Sequence, residues 1–255
     1  MIPLMKCYHH VFDEKYKSMG FYKKGKVFAR LNGDVVQSFS LKKYSGVPHC
    51  VIEFGVTPLC YYPPLDLDGG LFESDQFYVE DLHCRGLWWY EPLSVSSIIE
   101  TMQSLSETVD KYIIPFFDKC FDCGSTFDQL HKLEVLFENN RLKSLEISGS
   151  SDKAQPFDER ILFDDRLYFF ALKSENWSFA KGHLEAFYKS YSNTSQNSNN
   201  DNDKLRFKEA ADEKMDLLQH LYDEDYTFFR KMVENNEKEN LEHIKRVYPR
   251  FLRQL

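Results

Sequence analysis

The chain holds 255 residues, 42% of them hydrophobic and 28% charged, which is the composition of an ordinary globular protein and excludes disordered, collagenous and membrane-spanning classes. Its net charge of −8 argues against a protein built to wrap a phosphate backbone. Aromatic rings make up 16% of the residues, enough large side chains for a sizeable core.

In chain order, Leu4, Tyr8, Val11, Phe12, Tyr16 and Met19 recur at helical spacing and Gly20 stands where a C-terminal cap belongs, so residues 4–18 are expected to form an amphipathic helix. Val27 to Leu31 and Val35 to Leu41 are β-rich runs separated by Asn32-Gly33-Asp34, the signal of a tight hairpin. Cys50 to Val56 reads as a third strand, and Phe77 to Val79 and Leu87 to Tyr90 as further short ones. Beyond Pro92 the period changes: Val95, Ile98, Ile99, Met102, Leu105, Val109, Tyr112 and Ile113 mark a core-facing helix that Pro115 ends or kinks. Helices are expected at 126–139, 157–172 and 176–191, the last two as a hairpin across Ser174-Glu175. The tract 192–203 has no apolar side chain and reads as a mobile linker, and helices over about 204–234 and 238–254 close the chain. The expected fold class is α+β, an antiparallel β-meander packed with helices and followed by an all-helical C-terminal half. Its divisions are an α+β domain over 1–140, a helical extension over 141–191, the linker 192–203 and a C-terminal helical pair over 204–255.

Charge is distributed unevenly, with +5 over residues 1–60, −11 over 61–200 and −2 over 201–255. A basic meander beside an acidic middle either pairs with it inside one fold or presents two faces to partners.

Each candidate chemistry has a competing structural explanation. Cys120-Phe121-Asp122-Cys123 has zinc-ligand spacing, with His131 eight residues on, but no second close pair completes a four-ligand site. The pairs His49-Cys50 and His83-Cys84 offer thiols beside imidazoles, yet neighbours on a strand point to opposite faces, so a dyad requires crossing between the pairs. Around Gly69-Gly70 the acids Asp66, Asp68, Glu73, Asp75, Glu80 and Asp81 suggest calcium, but Phe77 stands twelfth from Asp66, where a calcium loop needs glutamate. Lys23-Lys24-Gly25-Lys26, flanked by Phe21, Tyr22 and Phe28, is the one dense basic run, too short to favour nucleic acid in an acidic chain. Phosphate-loop, dinucleotide, GxSxG and HExxH motifs do not occur, so no cofactor and no metal are expected, and no catalytic residue is assigned. The residues name no small-molecule ligand. Without a recognisable secretory or membrane segment, a cytoplasmic protein with free thiols is expected.

The run from Gly20-Phe21-Tyr22-Lys23-Lys24-Gly25-Lys26 through Val27-Phe28-Ala29-Arg30, followed by Gly33-Asp34-Val35-Val36-Gln37-Ser38-Phe39-Ser40-Leu41, resembles the start of the bacterial "domain of unknown function 4304" family. The similarity continues through Ile52-Glu53-Phe54-Gly55-Val56, Arg85-Gly86-Leu87-Trp88-Trp89-Tyr90 and Tyr112-Ile113-Ile114-Pro115-Phe116-Phe117, covering about residues 5–135. The resemblance implies an α+β domain of bacterial origin and transfers no activity or catalytic residue. Phe21 and Phe28 are expected to anchor the first strand, and Arg85, Trp88 and Trp89 to form a cation–aromatic cluster.

The functional expectation is a non-catalytic binding module, immunity-like or antitoxin-like, whose acidic segment between residues 61 and 165 meets a basic protein partner. Its contact residues are expected among Asp66, Asp68, Glu73, Asp75, Glu80, Asp81, Arg85, Trp88 and Trp89. A small Cys/His enzyme and a weak nucleic-acid binder through Lys23, Lys24 and Lys26 are the alternatives.

Overall fold

A computed structural model describes residues 4–44, 46–62, 77–78, 88–133 and 165–251. They form two units, residues 1–126 with 237–255, and residues 127–236. The chain class is α+β, as its patterning indicates.

The first unit is built on an antiparallel sheet of β1 (Tyr22–Lys24), β2 (Val27–Asn32), β3 (Val35–Lys43), β4 (His49–Pro58), β5 (Phe77–Tyr78) and β6 (Trp88–Trp89). Strands β1 to β5 are neighbours in chain order, and β6 pairs with the start of β4. Two-residue turns join β1 to β2 and β2 to β3, as the pairs Lys24–Val27 and Asn32–Val35 require. Gly33 holds φ of +60°, and a Cβ there would lie 2.5 Å from the Phe121 carbonyl oxygen, so the turn needs glycine twice over. Strand β1 takes in Lys23 and Lys24 of the Lys23–Lys26 run, and Gly25 makes the turn that follows.

Helix α1 (Leu4–Ser18) buries Leu4, Cys7, Tyr8, Phe12 and Tyr16, five positions that share one side of a 3.6-residue period. Their rings meet Phe28 and Phe39, which pair across β2 and β3. Helix α2 (Val95–Thr108) is capped by the Ser94 hydroxyl, which accepts from the Ser97 amide. Pro115 does not end the helical path. A π-helical turn (Val109–Ile113) widens the coil just ahead of it, and α3 (Ile114–Lys119) begins there, placing the proline in a first turn that needs no amide hydrogen.

One buried polar group joins α3 to the sheet. Gln37, fully buried on β3, donates from Nε2 to the carbonyls of Phe117 and Cys120 at the end of α3, the first of which also accepts from the Cys120 amide. Its Oε1 accepts from Arg30 Nε at 2.7 Å, and the Arg30 guanidinium lies over the Phe21 ring and pairs with Asp118.

The opposite face of the sheet is covered from the far end of the chain, so the C-terminal pair expected over 204–255 is split between the units. Ile244, Tyr248 and Phe251 pack on Ala29, Val36 and Leu59. Asn240, 1% exposed, donates to the carbonyls of Leu59 and Tyr61 at 2.7 and 2.8 Å.

Residues 123–133 are helical (α4). The second unit continues with α5 (Asp165–Lys173), α6 (Trp177–Asn197), α7 (Asp201–Tyr222) and the beginning of α8 (Tyr226–Val247). The polar tract 192–203 is not a linker: it forms the end of α6 and the start of α7 around a short turn at Ser198–Asn200. Asn200 caps α7, Asp201 and Asp203 complement its N-terminal dipole, and Tyr191 stacks on Phe207 on either side of the tract. Apolar residues flanking the tract therefore supply the contacts it lacks.

The last helical break falls at Asp223–Asp225 rather than at 235–237. Glu224 adopts φ of +55° there and Asp225 caps α8, a geometry repeated at Ser174–Asn176, where Glu175 has φ of +57° and Asn176 caps α6. The two turns lie against each other, with Trp177 stacked on Tyr226 and Arg230 forking onto Glu175.

Replacing Gln37 by alanine removes the donor for two buried carbonyls and the acceptor for Arg30, and is expected to lower stability by about 2–4 kcal/mol. Urea unfolding followed by circular dichroism checks this as a fall in midpoint at constant slope.

Candidate interaction surface

Alternation along β6 separates the two tryptophans. Trp88 pairs with Cys50 and Trp89 with His49. Trp88 turns inward, 7% exposed, with its indole N–H donating to the Ser104 hydroxyl of α2 at 3.2 Å. Trp89 points the other way and is 61% exposed, its ring set edge-on against His49. The backbone beneath is held firmly: Thr101 donates its hydroxyl to the Trp89 carbonyl, and the Tyr90 amide donates to the Pro48 carbonyl. His49 Nε2 is shielded from solvent with no hydrogen-bond partner among the described residues.

Other apolar side chains are exposed at the same end of the sheet. Leu93 in the turn before α2 is 86% exposed, Val95 at its first residue is 45% exposed, and Val47 in the β3–β4 connection is 43% exposed. Exposed Glu91 adds negative charge, and its amide is fixed by the Ser97 hydroxyl. A large indole on a rigid strand, with aliphatic neighbours and little entropy left to lose, is the composition of a recognition hot spot.

Of the nine residues expected from the sequence to make contacts, Trp88 belongs to the core and Trp89 to the surface. Asp66, Asp68, Glu73, Asp75, Glu80, Asp81 and Arg85 lie outside the described residues, as do His83 and Cys84. Leu93 and Val47 carry no sequence signal of exposure as isolated aliphatics beside prolines, whereas Val95, expected on the core face of its helix, is exposed because it stands at the first position of α2, ahead of the first buried turn at Ile98.

The other candidates dissolve into structure. Burial pushes the Cys50 thiol up to about 12, and its hydrogen-bond acceptor is the Trp88 carbonyl. His49, next along the strand, faces the other side with Trp89. The Cys120 thiol is likewise pushed up to about 12 by burial. Cys123 is raised further by the adjoining Cys60 thiol, by burial and by Asp34. No cluster of three or more metal-ligating side chains occurs among the described residues.

Two lysines of the basic run are occupied internally, and Lys26 is exposed. Lys23 forms an ion pair with Asp13, and the Lys24 ammonium lies 4.3 Å from the centre of the Tyr248 ring. Lys15 pairs with Asp110 and Arg30 with Asp118, so two of the cations among the first 60 residues meet acids of the middle region within one unit. Phosphate contact through Lys23 and Lys24 would have to break these pairings first.

No family model, curated protein or solved structure matches the chain. Among the described residues no helix is long and apolar enough to cross a membrane.

The raised Cys50 thiol has a measurable consequence. Buried and pushed up to about 12, it is almost wholly protonated at pH 8, so alkylation by iodoacetamide is expected to be at least about tenfold slower than that of a free cysteine peptide. Time-resolved alkylation with peptide mapping tests it; labelling at the rate of a free thiol contradicts it.

Proposed function

We propose that the protein is a non-catalytic, cytoplasmic protein-binding module of a bacterial cell, immunity-like or antitoxin-like, that uses the Trp89 end of its sheet to hold a basic partner. The observation that carries this reading is the exposure of Trp89 on a strand whose neighbouring tryptophan is locked into the core. The buried Cys50 and Cys120 thiols, both pushed up to about 12, favour recognition over nucleophilic catalysis at these two positions.

The acidic segment supplies the electrostatic half of the proposal. Six acids against Arg85 between residues 66 and 85 precede β6 directly in sequence, an excess of negative charge that favours a basic partner. Kinship with the family noted above belongs to the same proposal. Its support is that Phe21, Phe28, Arg30, Gln37 and Phe117, all within the resembling segments, form one packed and hydrogen-bonded group.

The test is affinity capture from a bacterial host with the wild-type chain and with Trp89→Ala. The wild type is expected to retain one stoichiometric protein, with affinity falling about 30-fold for Trp89→Ala while stability changes by less than about 0.5 kcal/mol. Equal retention by both chains, or no stoichiometric protein on the wild type, overturns the reading.

A further inference from the structure

We infer that Cys60 and Cys123 form a redox clasp, two thiols that oxidise to one reversible disulfide and close residues 61–122 into a loop. The sequence spacing draws attention to Cys120 and Cys123, but the fold pairs Cys123 with a different cysteine. Asp34, in the β2–β3 turn, organises the meeting. Its carbonyl accepts from the Leu59 amide at 2.7 Å, which fixes the end of β4 and the next residue, Cys60. The same carbonyl lies 3.9 Å from Cys123 Sγ, and an Asp34 carboxylate oxygen accepts from the Cys123 amide at 3.0 Å. Both thiols are buried, at 0% and 2% exposure, and are in contact with each other.

The oxidant required is a small-molecule disulfide such as oxidised glutathione. One cysteine, as thiolate, attacks a sulfur of the oxidant and expels one glutathione thiolate, which takes up the proton released. The second cysteine then attacks the protein sulfur of the mixed disulfide and expels a second glutathione in the same way. Two protein thiols lose two electrons and one disulfide is reduced to two thiols. Because both sulfurs are covered, the first attack waits on local opening of the turn after β4 or of the start of α4, so the clasp responds to sustained oxidation.

The loop it closes contains β6, the turn into α2 and therefore Trp89, Leu93 and Val95. Pinning both ends of that loop restricts the unfolded chain and holds the surface-bearing segment against the sheet. The chemical inference stands on the cysteines alone, whereas its role in binding rests on the function proposed above.

The experiment treats the full chain under native conditions with oxidised glutathione, then blocks free thiols in denaturant and maps disulfide peptides by mass spectrometry. The expected result is a Cys60–Cys123 disulfide, reversed by reductant and accompanied by a rise in thermal midpoint on the order of 10 °C. In Cys60→Ser and Cys60→Ala chains the disulfide and the rise are both lost. Recovery of Cys60 and Cys123 as free thiols, a persistent glutathione adduct on either, or a Cys120–Cys123 disulfide overturns the inference. Mapping the wild type requires neither a variant nor a partner. A disulfide found without Trp89-dependent binding therefore contradicts the functional reading, and Trp89-dependent binding without the disulfide contradicts the clasp.

Discussion

Strand β4 is buried on both faces along nine of its ten residues, and nearly everything else in the first unit answers that constraint. A strand in this position must be covered twice, because each large apolar side chain left in water forfeits about 1.5–3 kcal/mol. One face receives the aromatic layer of α1, α3 and the facing strands, with Phe54 against Phe116 and Phe117. Beside it, Ala29 of β2, Val36 of β3 and Leu59 just after β4 receive the C-terminal residues Ile244, Tyr248 and Phe251. The chain returns to its first sheet after completing a separate helical unit, and Asn240 secures the return by donating to the carbonyls of Leu59 and Tyr61 just beyond β4.

The same strand decides what is left for recognition. Its partner β6 must alternate, so one tryptophan fills the core beside α2 and the other stands in solvent. Most groups able to do chemistry are spent on holding the frame: Gln37 and Arg30 on the end of α3, Lys23 on Asp13, Lys24 on Tyr248, and Cys50 beneath the Trp88 carbonyl. These pairings occupy Lys23, Lys24 and Cys50, residues of motifs that resemble sites in the sequence. Trp89 is different because nothing in the frame requires an indole there.

Elements with strong periodicity were legible from the residues. Helix α1 and the β2–β3 hairpin lie where the apolar spacing and the Asn-Gly turn place them. The run from Cys50 to Val56 also carried more information than was drawn from it, since a near-continuous apolar strand implies a cover on each face. The residues that pack on Ala29, Val36 and Leu59 of the same sheet come from Ile244 to Phe251, beyond the reach of local patterning. Tract 192–203 misled because composition was read as conformation: its side chains bury nothing, yet Asn200 and the flanking Tyr191 and Phe207 suffice to keep it helical. The break at Asp223–Asp225 was hidden because apolar spacing runs on through it, and only the matching Glu-Asx step at Glu175-Asn176 marks it as a turn. For the surface, Trp89 was legible as an aromatic beside a turn, but its separation from Trp88 depends on the register with β4, which no single strand reveals.

Oxidative footprinting of the tryptophans, with and without the captured partner, tests the account most directly. Rapid modification of Trp89, slow modification of Trp88 and selective protection of Trp89 in the complex are the predicted results. Equal modification of the two, or a complex in which Trp89 remains as reactive as in the free chain, would contradict it.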